Sequence, residues 1–193
     1  GELKVLDTQT NSLSAAIATA WAFWDSLQQR ALVDALAWGT GCALYAAWLV
    51  FWFDELREKS VAAANAGLAL GLGSGCAALL ASAYLPGRFA LALGAAAAGY
   101  LLIQAISNTR LACGRSFTLP LALIAALAGC SAVLAGQQPW YTLPVLALIP
   151  LAVRIPVPER WTIWLQSLAL SLLSCACAGA AIYLTWNKGA PLF

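Results

Sequence analysis

The chain predicts an all-α, polytopic membrane bundle of about six transmembrane helices, preceded by an amphipathic N-terminal helix. Three observations carry this expectation. Hydrophobic residues make up 62% of the 193 positions and charged residues only 9%, against about 25% charge in an ordinary soluble domain, so the chain lacks the polar surface needed to face water. Apolar runs long enough to cross a bilayer as a helix, about 18 residues or more with few charges, follow one another along the sequence. These runs are rich in Ala and Leu and do not alternate in the segments of about ten residues that a transmembrane barrel requires.

Two parts are expected, a polar start and interfacial helix over 1–30 and the bundle over 31–193. In "SLSAAIATAWAFWDSLQQR" at 12–30, Leu13, Ala16, Ile17, Ala20, Trp21, Trp24 and Leu27 recur at helical spacing and form one apolar face. Such a face suits a helix lying in the headgroup plane, although the polar side lacks the usual Lys and Arg. A simple extension of the first span, or packing against a partner chain, is the alternative.

The first span is expected over 33–53 and ends in the charge cluster "DELREK", which reads as an ordinary solvated helix end. The second, over 61–84, stops at the turn signal "LPGR", and the third covers 89–107. The fourth covers 117–136 and leads into the uncharged "QQPWYT". A fifth, starting near Trp140, is short, with Pro144, Pro150, Pro156 and Pro158 in or beside it and Arg154 forced to reach for the headgroups. The sixth covers 161–186 and is bracketed by Trp161, Trp164 and Trp186.

Lys and Arg accumulate on the cytoplasmic side of membrane proteins. With six spans, one side receives Arg57, Lys59, Arg110, Arg115, Arg154 and Arg160, and the other Lys4, Arg30, Arg88 and Lys188. The six-to-four bias predicts that both termini are periplasmic, in a bacterial inner (plasma) membrane. A polar, acidic start that runs into a long span argues against a signal peptide.

Absences narrow the chemistry. The chain has no His, which removes His-ligated haem, Ser-His and Cys-His nucleophilic pairs and His-based zinc sites. No pair of intramembrane carboxylates is available for acid and base work, and the net charge of +2 is scattered, so no basic patch exists for nucleic acid. Neither a cofactor nor a metal is expected. Five of the six cysteines lie in apolar spans and read as packing residues. Cys113, in a loop, is the exception.

Ionisable or strongly polar residues inside spans are functional candidates by default. Asp34, Asn65, Gln104, Gln166 and Ser171 are the residues from which a substrate path could be built, although capping for Asp34 and interhelical hydrogen bonding for the others explain them as well. Arg110 and Arg115 are the cytoplasmic-face candidates for binding a lipid-linked substrate.

The stretch "GLALGLGSG" at 67–75 resembles a phosphate loop but lacks the preceding strand and the Lys that such a loop needs. Ala63, Gly67, Gly71 and Gly75 are spaced by four and form a groove along one helix, the small-xxx-small pattern of close helix contacts. Gly94 and Gly179 belong to similar ladders. Three functions follow from this reading: a non-enzymatic subunit of a membrane assembly packed through such seams, a small transporter or channel component with a polar path, and a lipid-modifying enzyme at the cytoplasmic face. The expected partners are the lipid bilayer and other membrane chains or a second copy.

Overall fold

The computed structural model describes residues 2–28, 31–107, 114–135, 138–154 and 162–187, with the side chains of 2–7, 25, 26, 115 and 163 outside the description. Among the described residues every regular element is a helix. In chain order these are α1 (Glu2–Ala22), α2 (Trp24–Gln28), α3 (Leu32–Leu56), α4 (Ser60–Leu80), α5 (Tyr84–Ser107), α6 (Arg115–Leu134), α7 (Thr142–Ala147), α8 (Ile149–Ala152) and α9 (Ile163–Asn187). Five of them, α3, α4, α5, α6 and α9, are long and apolar enough to cross a membrane. The architecture is that of a multi-pass membrane protein.

α4 is the central helix. From Ser60 to Ala78 only Leu68, Leu72 and Cys76 are not buried, and their spacing of four leaves one narrow stripe facing outward. The rest of its surface is enclosed because small residues admit neighbours closely. A Cβ at Gly71 would lie 2.5 Å from Gly94 N and 2.8 Å from Ala90 O, so backbone meets backbone between α4 and the antiparallel α5. On other sides Gly67 receives Leu121 of α6, and Gly73 meets Ala178 of α9 and Leu146 of α7. α3 joins this group through α6 and the α7–α8 segment, with Leu49, Val50 and Phe53 fully buried.

The α4–α5 turn differs from the expected one. α4 ends at Leu80, and "LPGR" lies in the first turns of α5 instead of forming the turn. Pro is tolerated near a helix start because its missing N–H has no partner there anyway. Gly87 is needed for contact: a Cβ there would sit 2.9 Å from Leu79 side-chain atoms. The turn itself is made by 81–83. Ala83 N donates to Ala78 O at 2.8 Å and Ser82 N to Leu79 O at 3.0 Å, the paired bonds of a Schellman end, with Ser82 in the left-handed region at φ 63°. Gly usually holds that position because a Cβ strains it. Ser82→Gly is therefore expected to stabilise the fold by about 0.5–1 kcal/mol, read as a small rise in melting temperature in detergent.

The short, Pro-rich segment expected as a fifth span is two helices broken at Leu148. Pro150 at the start of α8 has no N–H for the carbonyl one turn back. Trp48 Nε1 donates to Ala147 O at 3.1 Å, satisfying a carbonyl at the break, as side chains do where helices are interrupted inside membranes. Arg154 follows, its guanidinium 4.9 Å from the Trp52 ring centroid near the far end of α3.

α1 does not follow the expected headgroup-plane course. Thr8 Oγ1 donates to Asp54 Oδ2, whereas Leu27 lies against Gly39, so α1 and α2 run antiparallel along α3. The buried side chains are Thr8, Ala15 and Thr19, while Leu13, Ile17 and Trp21 point away, Trp21 being 81% exposed. Small and hydroxyl-bearing residues face the neighbouring helix, and the large apolar ones face outward.

Candidate functional site

Asp34 marks one end of α3 and Asp54 the other, and the polar candidates distribute unevenly between these ends. Asn65 is in the second turn of α4, Gln104 in the last turn of α5, Thr118 in the first turn of α6 and Gln166 in the first turn of α9. Chain direction brings all four to the Asp54 end, and the stacked rings of Tyr100 and Phe117, 4.8 Å apart, lock α5 to α6 there. All four side chains are buried, Gln104 completely.

The hydrogen bonding of Asn65, Gln104 and Thr118 is incomplete. Asn65 Nδ2 donates to Val61 O at 2.8 Å and to Ser167 Oγ at 3.4 Å, tying α4 to α9. Asn65 Oδ1, both amide atoms of Gln104 and Thr118 Oγ1 have no hydrogen-bond partner. A buried polar group without a partner carries a desolvation cost of about 1–3 kcal/mol.

The path inferred from sequence does not extend across the bundle. Asp34 is exposed at the opposite end of α3 and joins none of the other candidates. Ser171 Oγ donates to Leu168 O of its own helix at 3.0 Å. Deeper hydroxyls are likewise turned back on their own backbone: Ser74 to Leu70 O at 2.6 Å, Ser174 to Leu170 O at 2.8 Å and Thr185 to Ala181 O at 2.9 Å. Arg110 and Cys113 lie outside the described residues, and Arg115 opens α6 with its side chain outside the description.

Among the described acidic residues Asp54 is buried, at 1% exposure, and departs from the solvated helix end expected for "DELREK", whose Glu55, Glu58 and Lys59 are exposed. Its carboxylate accepts the Thr8 hydroxyl and lies 3.6 Å from Arg57 Nη1. A helical-spacing signal was present, since Ala46, Val50 and Asp54 are four apart and all face the interior, but proximity to the four other charged positions Glu55, Arg57, Glu58 and Lys59 masked it. Tyr45 was missed for the opposite reason. It reads as one aromatic in an apolar run, yet it is buried and its hydroxyl has no hydrogen-bond partner.

The glycine seams divide into filled and open ones. Gly67, Gly71, Gly75 and Gly94 meet neighbours at close range, Gly75 through Leu91 at 2.8 Å. Gly179, expected on a seam, has nothing within 4 Å, and neither has Gly99. Among the described residues, no three His, Cys, Asp or Glu side chains come together as metal ligands. Comparison with protein-family models, with curated proteins and with solved structures finds no match to this chain.

Proposed function

We propose that the chain is a non-enzymatic subunit of a larger membrane assembly, docked through the outward face of α9 against a transmembrane helix of another chain. One contrast carries the reading. The small-residue ladder of α4 is filled by α5 within the chain, whereas on α9 Cys175, Ala176, Gly179 and Ala180 form a comparable shallow track with open space at Gly179. Close backbone approach is what such tracks provide in lipid, where apolar side chains alone gain nothing over contact with acyl tails.

Gly179→Leu tests this directly, because a side chain there meets nothing in its own chain and leaves the monomer fold intact. In mild detergent the wild-type protein is expected to migrate as a larger species on native gels and to crosslink through Cys175, with Gly179→Leu shifting it to the monomer. A wild-type protein that is monomeric at every concentration, or a variant that assembles as before, overturns the proposal.

Orientation forms part of the same reading. Among the described residues, with α1 running beside α3, the Asp54 end carries Arg57, Lys59 and Arg154 together with the helix positions Lys4 and Arg115, and the Asp34 end carries Arg88. The charge rule then favours a cytoplasmic Asp54 end, with α1 starting on that side and α9 ending on the other. On this reading the two termini lie on opposite sides of the membrane, a different arrangement from the one expected from the six-span loop charges. Helices instead of a barrel favour an inner or plasma membrane.

A second reading, a small transporter or channel component, is favoured by the unpartnered Asn65 Oδ1 and Gln104 amide. It requires a conformation in which the polar group opens towards the Asp34 end.

A further inference from the structure

Between α3 and α6, in the half of the bundle nearer Asp34, two thiols meet. Cys42 and Cys130 are buried at 3% and 0% exposure, whereas Cys76, Cys175 and Cys177 are half-buried or exposed. Cys130 Sγ donates to Cys42 O at 3.9 Å across the helix interface, and the two side chains also interact directly with each other. Small residues permit this approach. Ala46, one turn along α3, and Ala126, one turn back on α6, are fully buried. Gly129, next to Cys130, leaves room for the Tyr45 ring, whose Cε1 is 3.7 Å from where a Cβ would lie.

Cys42 also borders a cavity between α3 and α7, in company with Ala37, Trp38, Gly41, Tyr45 and Leu143. No charged side chain lines it. Gly41 and its neighbour Leu44 are exposed, and a Cβ at Gly41 meets nothing within 4 Å, so the mouth opens on the outward face of the bundle. Cys42 is the eleventh residue of the 25-residue α3, about 15 Å along the helix from its start. That is near the middle of a hydrocarbon core about 30 Å thick.

We propose that Cys42 and Cys130 form a redox-active dithiol, which an uncharged organic hydroperoxide dissolved in the acyl phase oxidises to a disulfide joining α3 to α6. The paired contact supplies the second sulfur that a lone buried cysteine lacks. The apolar cavity gives a route to Cys42 that the cost of desolvation closes to a charged reagent. In the first step the Cys42 sulfur attacks the peroxide oxygen remote from the organic group, the O–O bond breaks, and the Cys42 proton leaves with the alcohol. Cys42 is then a sulfenic acid. The Cys130 sulfur attacks the Cys42 sulfur, the S–S bond forms, and the sulfenic hydroxyl leaves with the Cys130 proton as water. Two thiols and one hydroperoxide thus give one disulfide, one alcohol and one water. Thiols in apolar surroundings react slowly, so the pair answers to sustained exposure. The new bond spans a sequence separation of 88 and constrains the unfolded chain, fastening α3 to α6.

The full chain in phosphatidylcholine vesicles is treated with cumene hydroperoxide or with tetrathionate, a dianion, and digested without reduction for mass spectrometry. With cumene hydroperoxide the peptides containing Cys42 and Cys130 are expected to be joined, and to separate on treatment with dithiothreitol. The oxidised protein is expected to melt several degrees higher. Tetrathionate is expected to modify the exposed Cys175 and leave the pair as thiols. In Cys130→Ala, dimedone is expected to trap Cys42 as its sulfenic acid, whereas in Cys42→Ala Cys130 remains a thiol. The proposal is overturned if Cys42 and Cys130 are both still thiols once cumene hydroperoxide has oxidised Cys175, or if Cys42 is joined to any cysteine other than Cys130. Tetrathionate oxidising the pair as fully as cumene hydroperoxide overturns the route through the acyl phase, and a dimedone adduct on Cys130 in Cys42→Ala overturns the order of attack. Equal melting temperatures of the reduced and oxidised forms overturn the fastening of α3 to α6.

Discussion

Gly71→Leu is expected to unfold the α4–α5 pair, with a loss of about 3 kcal/mol or more. The Cβ alone would sit 2.5 Å from Gly94 N and 2.6 Å from Gly94 Cα, distances that no rotamer change relieves because the opposing atoms are main chain. Overpacking of a core by side chains against side chains costs about 1–3 kcal/mol. Here the two helices must separate, and every contact along the seam weakens with them. Gly99→Leu is the matched control, since a Cβ at Gly99 meets nothing within 4 Å and leucine has the better helix propensity by several tenths of a kcal/mol. Thermal unfolding in detergent should show a large fall for Gly71→Leu and little change for Gly99→Leu. Equal behaviour of the two variants would contradict the backbone contact between α4 and α5.

Asp54→Ala is expected to release α1 from α3 while leaving the α4–α5 core in place. The carboxylate is buried, accepts the Thr8 hydroxyl and pairs with Arg57 at 3.6 Å. Removing one partner of a buried pair costs about 3–5 kcal/mol when the other remains desolvated; Arg57 is 22% exposed and recovers some water, which places the loss near the lower end. Hydrogen exchange should accelerate over residues 8–19 and remain slow over 61–78. A second variant tests the hydrogen bond alone: Asp54→Leu combined with Thr8→Val replaces both of its partners with apolar groups, an exchange that can be nearly neutral, and leaves the loss of the Arg57 pair as the remaining cost. If the double variant also releases α1, apolar packing cannot substitute for the carboxylate at that end of the bundle.

Much of the bundle was legible in sequence because hydropathy is a sum over residues and needs no knowledge of neighbours. The limits of α3, α6 and α9 fall within a few residues of the apolar runs, and the spacing of Gly67, Gly71 and Gly75 defined a face before any helix was placed against it. The departures have a common cause. "LPGR" reads as a turn by local propensity, yet Ser82 makes the turn and Pro86 is accommodated near the start of α5, because Gly87 is required where Leu79 approaches. The apolar stripe of α1 suggested an interfacial helix, since periodicity identifies a face without saying whether lipid, water or protein lies beyond it.

The candidate site was less legible still. Asp34 and Asp54 are both acids near the ends of one helix, and nothing in composition distinguishes the exposed one from the buried one. Asn65, Gln104, Thr118 and Gln166 are more than a hundred positions apart at the extremes and share a depth only because α4, α6 and α9 run one way and α5 the other.

By itself, then, the sequence determined that this protein is a helical membrane bundle, where its long spans lie, and that histidine chemistry is absent. Those properties depend on residue type and local spacing. Only the tertiary structure decided that α4 is the centre, that α1 runs beside α3 with Trp21 outward, that Gly71 is filled while Gly179 is open, and that Tyr45 borders a cavity. Each of these is a relation between surfaces distant in the chain, set by which helices can approach closely and which polar atoms find partners when they do.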